Sequence, residues 1–187
     1  MDSKGRDEKL NGREKLLHAA SALFARGGYE EVSVAEILAE SGLKAPSLYH
    51  HFGDKEGLYV AWAIFAIEDA GERLQNLTPN GTAVKSALEA ISDTKGPELS
   101  QLVRDARLLV REESKKEIID RLHARVIGPL GNILQENNAT LGMKPQAAAC
   151  FVMHGAGAMH PLFAESEGCN LDTTTVASAL VGRKKAS

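Results

Sequence analysis

Between Gly12 and Phe52 the chain carries three closely spaced sets of helix start and stop signals, and this punctuation constrains the fold more than any other feature. Leu16, Ala20, Leu23 and Phe24 recur at i, i+4, i+7 and i+8 before Gly27-Gly28, which predicts a first helix over about Gly12 to Arg26. Ser33 offers a side-chain oxygen as N-cap, with Glu36 three residues on as in a capping box. Ile37 and Leu38 then supply a buried face before Gly42. Pro46 suits the first turn of a third short helix running to about Phe52. Asp54 caps a fourth helix that continues through Leu58, Trp62 and Phe65 towards Leu77. A short helix from Ser33 to Ser41, a turn at Gly42-Leu43-Lys44 and a short helix from Pro46 to Phe52 make a helix-turn-helix, a motif whose second helix fits the major groove of DNA.

The rest of the chain continues the helical pattern, and nothing alternates long enough to demand a sheet, so the expected fold class is all-α. The middle of the fourth helix, GLYVAWAIFAI, is apolar nearly all round and is expected to pass between two packed layers. Turn-forming or charged residues at Thr78 to Gly81, Lys95 to Pro97 and Glu112 to Lys116 separate further helices. Ile119, Leu122, Val126, Leu130 and Ile133 keep helical spacing in a helix that Gly128-Pro129 should bend. A small-residue helix from Pro145 to about Ala164 and a last one near Asp172 to Val181 follow. The division expected is an N-terminal arm over residues 1–11, a helix-turn-helix domain over 12–57, a second helical domain over 58–183 and a basic tail over 184–187.

With 187 residues, 43% of them apolar, a conventional hydrophobic core needs neither disulfides nor a structural metal. The two cysteines, Cys150 and Cys169, have no zinc-type spacing and fit a reducing compartment. The first ten residues are charged where a signal peptide needs an apolar stretch, so a soluble cytoplasmic protein is expected and the sequons at Asn76, Asn80 and Asn138 carry no meaning. Net charge is −3, and Met1 to Gly57 holds eight Lys or Arg against ten Asp or Glu. Any DNA contact therefore depends on where a few cations sit, not on bulk charge.

The stretch GLKAPSLYHHFGDKEGLY resembles the DNA-binding signature of the TetR family of bacterial transcriptional regulators. The resemblance covers about Gly12 to Trp62, with matches at Phe24, Gly28-Tyr29, Ser33, Ile37, Gly42, Leu48-Tyr49-His50, Phe52, Lys55-Glu56 and Leu58. It implies a homodimeric regulator, mostly a repressor, released from a palindromic DNA operator by a small apolar or aromatic effector. Tyr49, His50, Ser33 and Lys55 stand where phosphates would lie, and Lys44, Ala45 and Ser47 open the recognition helix that faces base edges. Pro46 and Lys44 depart from the family's usual glycine and small hydroxyl residue, so the operator is not borrowed from a relative.

The C-terminal expectations are coarser. Trp62, Phe65, His123, Phe151, Met153 and His154 are the candidate lining of an apolar effector site, with a plain core as the competing assignment. Ala148, Phe151, Val152, Gly155, Ala158, Met159 and Leu162 form the stripe that the resemblance assigns to the dimer interface, against packing within one chain. Cys150 and His154, at i and i+4, have the spacing of a metal pair but lack further ligands, and a buried, hydrogen-bonded histidine is preferred. Gly155-Ala156-Gly157 follows helix, not strand, and is set aside as a phosphate loop. No GxSxG, Walker or HExxH pattern occurs, so neither enzyme chemistry nor a cofactor is expected. The competing functions are a helical ligand-binding or interaction module whose head no longer reads DNA and a metal-dependent enzyme on the Cys150-His154 face.

Overall fold

In the computed structural model of the protein the described residues are 11–77, 83–92, 99–140 and 142–156, and every regular element among them is a helix. In order these are α1 (Gly12–Glu31), α2 (Val34–Ser41), α3 (Ala45–Phe52), α4 (Lys55–Gln75), α5 (Ala83–Ser92), α6 (Leu99–Ala106), α7 (Glu112–Leu122), a π turn (His123–Ile127), α8 (Gly128–Glu136) and α9 (Pro145–Ala156). None of the described helices is long and apolar enough to cross a membrane. The expected closing helix, the basic tail and Ala158, Met159 and Leu162 lie outside the described residues.

The chain forms two compact units: Met1–Ala66 with Gln101–Ile119, and Ile67–Ser100 with Asp120–Ser187. In the first unit Leu16 and Phe24 of α1, Ile37 of α2, Leu48 of α3 and Leu58 and Tyr59 of α4 are fully enclosed, joined by Leu102 and Ile118 from the distant segment. Phe24 stands edge-on to Tyr59 at 5.0 Å between ring centroids and 5.3 Å from Trp62, so three aromatic rings close the centre of the unit. The first helix runs further than its glycine pair suggests. Gly28, at φ +72°, interrupts it and a further turn follows to Glu31, because the Tyr29 N–H leaves the helical ladder to donate to Asp105.

The second unit packs Ile67, Ala70 and Leu74 of α4, Leu88 of α5, Leu130 and Leu134 of α8 and Ala149 and Val152 of α9 into one core. Pro129 has no N–H to offer the Arg125 carbonyl, and the chain absorbs the loss in the preceding π turn, where the Gly128 N–H reaches back five residues to the His123 carbonyl. Where a bend is expected at Gly128-Pro129, the chain forms a widened turn. Glu68 accepts from Arg121 at 2.6 Å and from Arg125 at 2.7 Å across the same turn.

The middle of α4, apolar nearly all round in sequence, is not uniformly buried. Trp62 is 2% exposed but Phe65, three residues on, is 71% exposed. One face of the helix is therefore open in the single chain.

Candidate nucleic-acid interface

Local chemistry builds the recognition motif. The Ser33 hydroxyl accepts from the Glu36 N–H at 3.2 Å and donates to the Glu36 carboxylate at 2.7 Å, while that carboxylate accepts from the Ser33 N–H at 2.8 Å. These bonds hold the Glu36 carboxyl below its usual range, with the Ser33 hydroxyl the leading cause. The capping box read from the sequence is thus formed in full, and Gly42 ends α2 in a left-handed conformation. Lys44 is the N-cap of α3 and Pro46 occupies its first turn.

Leu48 anchors α3 in the core and turns Tyr49 and His50 outward; Lys44, at the N-cap, is also exposed, while Ala45 and Ser47 are half-buried. Tyr49 is 55% exposed, so its ring stands off the packed face on which Phe24 and Leu58 lie. The N-terminus of α1 lies beside α3, where a Cβ on Gly12 would come within 3.3 Å of the Ser47 hydroxyl and 3.2 Å of the His51 ring. Arg13 sits with its guanidinium 5.3 Å from the Phe52 ring centroid and adds a cation that nothing in the local pattern singles out.

Lys55 is used differently from the phosphate contact expected of it. Its ammonium donates to the Tyr29 carbonyl at 2.9 Å and the Val32 carbonyl at 3.1 Å and lies 4.3 Å from the Tyr29 ring centroid. Burial lowers its pKa against the opposing pull of Glu30. The side chain closes the end of α1, and what Lys55 offers outward is its place at the N-terminus of α4, where the first backbone N–H groups have no intrahelical partner.

The turn between α3 and α4 is held from far along the chain. Asp54 caps α4 by accepting from the Gly57 N–H at 2.7 Å, and the Arg111 guanidinium forks onto its two carboxylate oxygens at 2.9 and 3.0 Å. Buried Glu56 accepts from the Val110 N–H at 3.0 Å and from the Arg111 N–H and Nε at 3.1 Å each. Burial pushes the Glu56 carboxyl up, but the bonds from Ser114, Val110 and Arg111 outweigh it and the net shift is downward. On the other side, one carboxylate oxygen of Asp105 accepts from the Tyr29 N–H and the Tyr59 hydroxyl, both at 2.9 Å, and the Gln101 amide donates to the Phe24 carbonyl at 2.7 Å. Burial, then the Asp105 charge, drives the Tyr59 hydroxyl pKa far upward, so it stays a neutral donor. Sequence reading missed Gln101, Asp105 and Arg111, whose partners in the head are 46 to 77 residues away.

The C-terminal candidates are spread over both units. Trp62 belongs to the aromatic centre of the first, and Phe65 is exposed on the same helix. In the second, His123 is exposed in the π turn, Phe151 is 46% exposed and Met153 is buried. Of the dimer stripe, Ala148 and Val152 are already enclosed within the single chain, where α9 packs on α8, so these two side chains have no surface left to offer a partner. Phe151 faces outward. His154 and Gly155 fall in the last turn of α9 by backbone alone. Cys150 is half-buried, and burial raises its thiol pKa.

A capped helix-turn-helix on a packed three-helix base, with the second helix's polar edge outward, defines the class of helix-turn-helix DNA-binding heads. Residues 16–62 match the family model described as bacterial regulatory proteins, tetR family. The chain is 36% identical over 75 residues to the transcriptional repressor AcnR of Corynebacterium efficiens, a match covering 40% of this chain and 38% of the relative. It is 44% identical over 59 residues to the repressor ComR of Escherichia coli K12, covering 32% of this chain and 28% of that one. The chain thus matches well under half the length of these relatives. Solved structures extend the likeness to the whole fold. A transcriptional regulator from Rhodococcus sp. RHA1 aligns with TM-score 0.67 at 18% identity, covering 92% of this chain and 94% of that one. AibR, in complex with isovaleryl coenzyme A and operator DNA, aligns with TM-score 0.63 at 20% identity, covering 92% and 97%.

Proposed function

We propose that the protein is a ligand-responsive, sequence-specific DNA-binding regulator, acting as a homodimeric repressor on a palindromic operator. The observation that carries this reading is the exposed polar edge of α3 on a base fixed by Leu48, at the position the family model covers. Tyr49 and His50, with the helix termini at Ser33 and Lys55, meet phosphates; Lys44, Ala45 and Ser47 face base edges. Repression is favoured by the AcnR and ComR relatives, although an activator, FasR of Mycolicibacterium smegmatis, is also 36% identical over 92 residues.

The effector is a small, largely apolar molecule, and AibR supplies the precedent of a similar fold holding both a ligand and operator DNA. The unbroken helix α4 runs from Lys55, beside the recognition helix, to Gln75 in the second unit. A ligand that favours one orientation of α4 therefore changes operator affinity, and by linkage operator DNA changes ligand affinity by the same factor. Dimerisation uses the outward face of α9 around Phe151 together with residues beyond it.

The test is a mobility-shift screen of genomic fragments against the full chain at several salt concentrations. A retarded fragment set with affinity falling steeply as salt rises is the expected result. Ser47→Ala should change the preferred sequence while leaving the salt slope alone. If no fragment is retarded over bulk DNA, the head does not read sequence and the protein is a binding module of another kind.

A further inference from the structure

The contacts around Asp105 do more than fill the core. Asp105 and Gln101 are 7% and 8% exposed, so each polar group needs a partner inside the protein. Their partners are not scattered: the Phe24 carbonyl and Tyr29 N–H flank the break in α1, and the Tyr59 hydroxyl belongs to α4. Gly28 is required for this approach, since it holds φ +72° and a Cβ there would sit 3.2 Å from the Asp105 carboxylate. The Gly28-Tyr29 pair of the family signature is thus read by a residue 76 positions on from Tyr29 and outside the family match.

Fixing α1 against α4 fixes α3. The recognition helix is tied to α4 by only Gly53 and Asp54, and it packs on α1. Once the end of α1 and the Tyr59 turn of α4 share one carboxylate oxygen, α3 has little freedom to tilt. We propose that Asp105 is a positioning residue for DNA recognition: it touches no DNA, but sets the orientation in which α3 enters the groove. The inference rests on the reading of the head as a sequence-specific DNA-binding unit. It predicts that loss of Asp105 harms specific recognition more than charge-driven attachment, because phosphate contacts tolerate a tilt that base-edge contacts do not.

The experiment uses the full chain, an operator duplex recovered with the wild type and a scrambled duplex of equal length, with affinities read by fluorescence anisotropy. Asp105→Leu should lower operator affinity by about tenfold or more while scrambled-duplex affinity stays within about twofold. Asp105→Asn keeps an oxygen able to accept from both Tyr29 and Tyr59 and should retain most of the wild-type preference. Circular dichroism and the emission of Trp62, which lies 5.2 Å from Tyr59, report whether each variant is folded. If Asp105→Leu does not fold, Tyr59→Phe, which removes one donor and only the volume of the hydroxyl, should lower the operator-to-scrambled ratio by about two- to fivefold. A folded Asp105→Leu or Tyr59→Phe with the wild-type ratio overturns the positioning role alone. A wild type that prefers no duplex overturns the DNA-binding reading, and this role with it.

Discussion

In the first unit Asp105, Lys55 and Arg111 each bind two or more named atoms and hold helices together by side-chain hydrogen bonds; the second unit has such bonds at Glu68, but its helices also meet backbone to backbone where side chains are absent. A Cβ on Gly71 of α4 would lie 2.9 Å from the Arg125 carbonyl, and one on Gly131 of α8 would lie 3.0 Å from the Pro145 backbone. Hydrogen bonds constrain angle as well as distance, so the first kind of contact fixes a helix's rotation and tilt. Close apolar approach fixes separation and leaves sliding comparatively cheap. A surface that reads base edges needs the first; a helical unit that accommodates a ligand is compatible with the second.

Breaking the centre of the first unit should have the largest effect. Phe24→Ala removes a fully enclosed ring that touches both Tyr59 and Trp62, and thermal or urea unfolding should show a loss of about 3–5 kcal/mol. Gly71→Ala probes the second unit by adding a methyl group where α4 meets the π turn, and should cost about 1–3 kcal/mol with little change in Trp62 emission. Equal disturbance of Trp62 by both substitutions would mean that the contrast between the units has no mechanical content.

Ser33→Ala removes one cap and should lower stability by about 1 kcal/mol, measured by the same unfolding curves. Smaller still is the change expected from Glu56→Gln in the acid range. The Glu56 carboxyl is held below its unfolded value, so its contribution is present above that value and is lost as pH falls through the folded one. The variant should therefore show a shallower loss of melting temperature on acidification; an acid limb identical to wild type would show that Glu56 does not couple folding to protons.

What could be read in advance follows from the range of the interactions. The caps at Ser33 and Glu36, the turn at Gly42 and the buried Leu48 are set within four residues, and each is visible in the local sequence. The exposure of Tyr49 and His50 follows from helical spacing once Leu48 points inward, and that of Lys44 from its place as the N-cap. Asp105 and Arg111 carry no such signal, because they sit among ordinary charged residues and acquire meaning only when the chain returns to the head. Lys55 was legible as important but not in how it acts: a lysine at a helix start looks the same whether its ammonium faces phosphate or, as here, the carbonyls of Tyr29 and Val32. Ala148 and Val152 were legible as a packing stripe, and only the neighbouring α8 shows that they pack within the chain.

The central claim, that α3 is presented by a rigid head to read DNA as one half of a two-fold dimer, is tested most directly by selection of the full chain on random-sequence duplexes. The account predicts enrichment of a site with two-fold symmetry, whose equivalent half-sites lie about 34 Å or a multiple of that apart along the duplex. Recovery of duplexes with no enriched sequence, bound only in proportion to their length and released uniformly by salt, would contradict it.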